Sequence, residues 1–534
     1  MIVPPAAAYW ERRLSLQATI PGMRKLGAVD GGVFFGVLAV AALALVVAMV
    51  LAVAAGPVDT SDFWFHAKAG ETYANEGPWP LADPMLHTAH ADAPVQHEWL
   101  FGVVVHQLDS IVGLPGLRVV QVLAVLGILA VAGMLYYREG ESLALAAAAT
   151  CVLAVLCWPR LVQLRPDLFT IPASLVLYAL LLKPREGPSW PRVAGACLLV
   201  FVWANMHSLF GVGLLLVLAG WIGVVLRAGL LRWIDPPAAE RENRRAVRLA
   251  VAEGLLFFSA LLNPRGLDQH LTFFSSSKEF GIWKIVDEWS PFNPWAWPST
   301  GGGVVLGDLA WATTNLVFVA VMVATLVGAV RFLARRDRGT LEAIDPVRFG
   351  LAAASAVAIL TSVRFLWMAF FPLIFLLHFS ASQGAGSLRA RRALAGVATT
   401  VACALAVGLA FDPGYRDRIE RLPSTLAGYW SEPWIRHGSH DPGVRFLSEA
   451  SLEGNLYNRY TMGGLLGYRL APGMRTFVDG RTEHYPADVL DDYFRIAHQR
   501  EVRPGETALE ALDRRKVDVY FGVGFPAEGE HIYT

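Results

Sequence analysis

The sequence predicts an all-α polytopic membrane bundle of about 11 transmembrane helices, with a small C-terminal α/β domain outside the membrane. Three observations predict it. Of 534 residues, 17% are charged and 54% hydrophobic, and mean hydropathy is +0.43, whereas soluble domains carry about 25% charged residues. Apolar runs long enough to cross a bilayer recur from Gly32 to Phe411. Beyond Phe411 the texture changes to short mixed segments bounded by Gly, Asn and Asp.

Taken in order, residues 1–31 form a basic leader that reads as cytoplasmic. The apolar run that follows begins too late, and is too long, for a cleavable signal peptide. Spans are expected at 32–56, 114–136, 143–158, 168–183, 191–207, 209–227, 248–263, 308–331, 349–363, 365–381 and 392–411. Those at 143–158 and 168–183 are short, and Pro172 kinks the second. In 98–113, "EWLFGVVVHQLDSIVG", apolar positions alternate with His106, Gln107 and Asp109, which places the stretch at the interface.

Loop charge sets the sidedness. Arginine and lysine favour one set of loops about threefold, so that set is cytoplasmic. The N-terminus then lies inside. The membrane domain, 32–411, sends loops 57–97 and 263–307 outward, and the tail 412–534 is extracytoplasmic. In the tail "GNLYN", "RTFVDGR" and "VDVYFGV" read as strands. "PGVRFLSEAS", "YPADVLDDYFRIAHQR" and "GETALEALDRRK" have helical spacing.

Some function classes drop out. No GxGxxG, Walker loop or HExxH occurs, which removes nucleotide-driven transport and zincin proteolysis. Cys151, Cys157, Cys197 and Cys403 all lie in apolar runs, as small buried hydrophobes do. With 45 basic against 45 acidic residues, net charge points to no partner, and no nucleic acid is expected.

Polar groups gather at the outer face. The stretch 57–88 holds Asp59, Asp62, His66, Glu71, Asp83 and His87 directly after the first span. Each outer hairpin adds more: Arg160 and Arg165, Asn205 and His207, Asn263 and Arg265, Asp287 and Glu288, and Arg364. Charge near hydrocarbon is costly and usually faces a cavity or a partner. Arginine donates two parallel hydrogen bonds to a phosphate. Several arginines above a lipid-facing cavity would hold a lipid phosphate or pyrophosphate, while a nearby carboxylate takes the proton of an acceptor hydroxyl. Glycosyl transfer from a polyprenyl-linked sugar fits this pattern and needs no nucleotide site.

The motifs "SDFWFHAKAGE", "PLADPMLHT" and "PVQHEWLFG" resemble the first outer loop of integral-membrane glycosyltransferases of the GT-C superfamily. The likeness is to a bacterial branch related to protein mannosyltransferases and aminoarabinose-transferase-like proteins. It continues in "LRPDLFT", "WANMHSLFG", "LNPRG", "EWSPF", "YNRYTMGGLLGYRL" and "FVDGRTEHY". The resemblance implies a GT-C-like fold, a polyprenyl-phosphate sugar donor, and an essential acid in the first outer loop. By position that acid is Asp62, with Asp59 the runner-up and Glu98 in support. The adjacent acidic dyad of better-known members is absent here.

His66, Asp83, His97, Arg165, His207, Arg265 and Arg364 are the expected substrate-binding residues, joined by Asp479 and Arg481 of the tail. Trp64 and Trp99 offer faces for a sugar ring. For Asp83 a turn before Pro84 is the plain alternative. No cofactor is implied. A divalent ion is the open alternative, because Asp, His and Glu could ligate one and oligosaccharyltransferase relatives use one, but no ligand spacing designates it. Expected partners are the lipid donor, a glycan, lipid or protein acceptor, and the bilayer of the cytoplasmic membrane. The rival readings are a flippase or transporter for a lipid-linked glycan, and a non-catalytic scaffold of envelope glycan assembly.

Overall fold

The structure, a computed structural model, describes residues 31–58, 61–80, 82–90, 97–271, 287–295, 307–383, 388–431, 441–498, 500 and 503–522. Asp59 lies outside them.

The membrane part begins with α1 (Gly31–Ala54) and a short polar helix α2 (Ser61–Glu76). Then come α3 (Trp99–Gly140), α4 (Leu143–Leu161), α5 (Asp167–Leu177, running on as a π turn to Leu182), α6 (Trp190–Met206), α7 (Phe210–Leu231) and α8 (Pro236–Ala260). The set closes with α9 (Asp308–Arg335), α10 (Arg338–Ile344), α11 (Pro346–Thr361), a 3-10 turn (Val363–Ala369), α12 (Phe370–Gln383) and α13 (Leu388–Phe411).

Eight of the described helical stretches are long and apolar enough to cross a membrane, not eleven. Two expected spans are the shorter apolar helices Asp167–Leu182 and Trp190–Met206. The third forms the last part of α8, whose first half carries Glu240, Arg241, Glu242, Arg244 and Arg245. The stretch 98–113 is helical from Trp99 and is set off from the following span by a break at Gly113, which takes φ 67°, with Pro115 after it. Glycine adopts that left-handed backbone without a Cβ penalty, and proline removes a donor from the ladder.

Aspartate–proline pairs start several helices. Asp235 and Asp345 cap α8 and α11 with their carboxylates, accepting from Ala238 and Val347 N–H, and proline stands next in each. Proline suits the first helical turn because its missing N–H would be unpaired there anyway. The alanine-rich α4 lies at the centre, buried on nearly every face. Small side chains let neighbouring backbones close in, which is how helices associate where no water drives them together. Leu153, Trp203, Leu351 and Ile374 share the resulting core.

The tail is a small parallel α/β unit. Strands β1 (Gly454–Asn458), β2 (Met474–Thr476) and β3 (Val519–Phe521) form a parallel sheet in the order β2-β1-β3. Around it lie α16 (Asp441–Glu449), α17 (Gly463–Leu470), α18 (Ala487–Ala497) and α19 (Ala508–Arg514), while α14 (Pro413–Glu420) and α15 (Leu426–Ser431) lead in from the bundle and bond to α1 through Tyr415 and Tyr429. Thr507 and Glu510 build a reciprocal capping box at the start of α19. The loop after α2 pairs with the free edge of β2: Thr476 N–H donates to Met85 O at 2.7 Å and His87 N–H to Thr476 O at 3.1 Å. An edge that would otherwise present unpaired backbone is thus closed by the first loop.

Candidate functional site: a charged seam between bundle, loop and tail

Residues far apart in the chain meet where the outer loop, one end of the bundle and the tail come together. Helix ends supply most of them. Asp62 and His66 sit four residues apart on α2, one turn above each other. His97 and Glu98 precede α3, Arg160 closes α4, and Arg165 and Asp167 flank the start of α5. His207 stands between α6 and α7, Glu288 in the 3-10 turn Asp287–Trp289, and Arg364 in the turn after α11.

At the bundle end, Glu288 is the hub. Arg160 Nη1 lies 2.8 Å, Arg165 Nη1 3.2 Å and Arg364 Nη1 3.5 Å from its carboxylate. Arg165 also donates to the Asp62 carboxylate, and Arg364 comes within 3.9 Å of Asp167. The turn carrying Glu288 is held by Ser362 Oγ, which donates to Glu288 O at 2.8 Å, and by Val363 N–H, which donates to Ser290 O at 2.9 Å. Trp289 lies under the Arg364 guanidinium, 4.7 Å from ring centre to carbon. Burial works against the charge on Glu288, but the three guanidiniums hold its carboxyl well below the usual range.

Not all donors in this hub are used. Arg160 Nη2, Arg165 Nε and Arg364 Nε are buried without a hydrogen-bond partner among the described residues. Buried polar atoms are nearly always paired, and each of these three N–H groups can still donate to a further acceptor.

The middle of the seam is Glu98 among three imidazoles. His66 Nε2 and His207 Nε2 each lie 3.2 Å from it, and His97 Nε2 3.6 Å. A relay reaches the far side of one ring: Trp203 Nε1–H donates to Thr170 Oγ1 at 2.8 Å, and Thr170 lies 2.7 Å from His207 Nδ1. In the neutral tautomer that accepts the threonine O–H at Nδ1, His207 carries its proton on Nε2, facing Glu98. Burial pushes the His207 imidazole down to about 4, which agrees with this neutral form. His97 is the opposite case. Burial disfavours its charge, but Glu483 at 2.9 Å on Nδ1 and Glu98 on the other nitrogen raise it to about 10.

The outer part joins loop to tail. Arg481 is 1% exposed at its side chain and binds Asp83 at 2.8 Å and Asp479 at 2.6 Å. His484 Nδ1 lies 3.1 Å from Asp83. Asp83 also accepts from Met85 and Leu86 N–H at 2.9 and 2.8 Å. It is therefore both the turn former and the ion partner: Oδ1 serves the turn and also accepts from Arg481 Nη2 at 3.2 Å, while Oδ2 faces Arg481 Nη1 and His484. Burial opposes its charge, while Arg481 and His484 keep the carboxyl far below its ordinary value.

Of the expected site residues, Asp62, His66, Glu98, His97, His207, Arg165, Arg364, Asp83, Asp479 and Arg481 all lie along this seam. Arg265 is placed in the turn after α8, where its N–H donates to Asn263 Oδ1 at 2.8 Å. Trp64 is buried against Phe63 and Tyr468 and offers no open face to a sugar. Trp99 Nε1–H donates to Asn205 Oδ1 at 2.9 Å, locking α3 to α6.

Sequence reasoning left Glu288, Arg160, Asp167, Glu483 and His484 out of the candidate site. Each stands within a few residues of a chosen one, in motifs already singled out, so neighbourhood was the available signal. Among the described residues, no group of three or more His, Cys, Asp or Glu side chains is arranged to hold a metal ion.

No family profile matches the chain, and no curated protein matches it in sequence. Solved structures do match in shape. The oligosaccharyltransferase AglB of Archaeoglobus fulgidus, solved with an inhibitory peptide and a dolichol-phosphate, superposes with a TM-score of 0.51 at 12% identity, covering 90% of this chain and 69% of that one. The same organism's enzyme in apo form gives 0.49 at 12% identity over 90% and 69%. The chain therefore shares its fold, over most of its length, with the Archaeoglobus enzyme.

Proposed function

We propose that the protein is a membrane glycosyltransferase that moves a sugar from a polyprenyl-phosphate donor to an acceptor on the outer face of the cytoplasmic membrane. The observation that carries this reading is the trio of buried, unpaired guanidinium N–H groups on Arg160, Arg165 and Arg364. They surround one carboxylate at the end of the bundle, with Asp62 on the same arginine. A lipid phosphate bound there accepts those N–H groups. As the sugar's anomeric carbon leaves the phosphate oxygen, the growing negative charge on phosphate meets fixed positive charge that need not reorganise. The acceptor oxygen bonds to the same carbon, and its proton passes to Asp62. Asp62 suits that role better than Glu98. Its side chain is 26% exposed against 10%, and Glu98 is already engaged by three imidazoles. The likeness in fold to an enzyme crystallised with dolichol-phosphate supports the donor class.

Parity supports placing loop and tail on one side, and loop charge makes that side the outer one. Contacts at the seam tie down α4, α5, the α6–α7 turn and the turn after α11. A second ion network occupies their other ends: Glu139 of α3 meets Lys183 and Arg348 at 3.4 and 2.9 Å, and Arg227 of α7 meets Glu242 of α8 at 3.4 Å. Loop and tail meet on one side, which requires an odd number of passes. Eleven satisfies this, with the two short helices and α8 traversing the bundle.

The test is a purified-protein assay against a panel of polyprenyl-phosphate sugars. Wild type transfers sugar; Asp62→Asn and Arg165→Ala fold but lose at least about a hundredfold in rate. Binding of lipid phosphate with no transfer to any acceptor would leave the scaffold reading in its place.

A further inference from the structure

A second site stands out at the opposite end of the bundle. One stripe of α13 carries Arg389, Arg392, Ala393, Gly396, Val397, Thr400 and Val401, and with Phe35 of α1 it bounds a groove of about 600 Å³. The spacing is helical, so a single face begins cationic and continues apolar for two more turns. Thr399 Oγ1 donates to Phe35 O at 2.9 Å, which fixes the two walls together. Small residues at 393 and 396 keep the floor low. Arg389, Arg392, Ala393 and Val397 are exposed.

We infer that this groove binds an anionic glycerophospholipid of the leaflet facing away from the seam, with its phosphate at Arg389 and Arg392 and an acyl chain along Ala393–Val401.

Geometry and charge select that occupant. From Arg389 to Val401 the helix rises ~18 Å, close to the ~15 Å depth of one leaflet's hydrocarbon. The arginines thus sit at headgroup level when the apolar stretch sits among chains. Basic pockets between spans on the cytoplasmic side are suited to anionic headgroups. The chain's own N-terminal leader is a poorer occupant. Residues 1–30 carry Arg12, Arg13, Arg24 and Lys25 against Glu11 and Asp30, which adds positive charge to a mouth that already holds Arg389, Arg391 and Arg392. This inference is independent of the transferase reading.

Native mass spectrometry of the full-length protein, with added phosphatidylglycerol or phosphatidylcholine, tests it. Wild type is expected to retain phosphatidylglycerol at least about tenfold better. Arg389→Ala with Arg392→Ala should lose about fivefold for each arginine, and only for the anionic lipid. Ala393→Trp fills the groove beneath intact arginines and should displace both lipids. Equal retention of the two lipids by wild type overturns the inference. So does an Ala393→Trp variant that still prefers the anionic one, because diffuse surface charge then accounts for the binding. Stronger lipid binding after deletion of residues 1–30 overturns it too, by making the leader the natural occupant. All replaced side chains are exposed on one helix, and thermal unfolding in the same detergent, measured in parallel, reports retained folding.

Discussion

Asp62 and Glu288 compete for the same guanidinium. Arg165 reaches both, and its Nε is still unpaired. On the proposed reading, a phosphate that binds at the unpaired Nε pulls Arg165 from Asp62, and that exchange would release the carboxylate as an acceptor needs a base. Binding and base activation are then coupled through one side chain. Asp62→Asn removes the competing charge while keeping the shape. It is expected to bind polyprenyl phosphate several-fold more tightly than wild type while transferring at least about a hundredfold more slowly. Calorimetric titration reads the first effect; weaker binding by the asparagine variant would refute the exchange. Glu288 differs, because three arginines depend on it. Glu288→Ala strands them in a buried site and should cost about 3–5 kcal/mol of stability, seen as a fall in melting temperature.

Among elements, the contact between α2 and α3 decides where Asp62 and His66 point. A Cβ added at Gly70 would fall 2.0 Å from Gly102 O, and one added at Gly102 2.9 Å from His66 O. The two backbones touch, so the outer helix lies flat on α3 and delivers His66 to Glu98. No such crowding exists at Gly127, where nothing lies within 4 Å. Gly70→Val should therefore lose about 1–3 kcal/mol or more, with loss of activity as the seam opens. Gly127→Ala should be neutral or slightly stabilising, since alanine favours the helix. Thermal unfolding of both in the same detergent separates a packing requirement from a general intolerance of change.

The whole molecule is held shut by charges between loop and tail, and these make docking depend on pH. His97 lies between Glu98 and Glu483, with His66, His207 and His484 as the next titratable neighbours. Its folded pKa of about 10 stands above the ordinary 6.5. A raised pKa contributes stability that is complete below about 6.5 and is lost as pH climbs towards 10. Glu483 and Asp83 run the other way. Buried but faced by His97 and by Arg481 respectively, they are held below their ordinary values, so their contribution is lost on acidification. Docking should thus be tightest in mildly acidic solution and loosen on the alkaline side. Limited proteolysis of the tail from pH 6 to 10 checks this: wild type becomes more susceptible, and His97→Gln shows a flatter profile. An unchanged profile in the variant would take the clamp away from His97.

The amino-acid order alone was enough for the class of molecule, because apolar run length and loop charge are local quantities that no partner alters. Capped starts such as Asp345–Pro346 were equally open to reading, as was the mixed texture of the tail. Span counting was less secure. The helix that ends at Ala260 opens with a polar half, and only packing decides whether a mixed helix is lodged in the bundle or lies on it. The seam was half legible. Arg165 or Asp479 could be chosen for its chemistry, but the choice of Glu288 as common partner belongs to the three-dimensional structure. So does the sharing of Asp83 between a turn and an arginine nearly four hundred residues away. Which charges meet depends on where helix ends arrive after folding, and a linear pattern carries no record of that meeting.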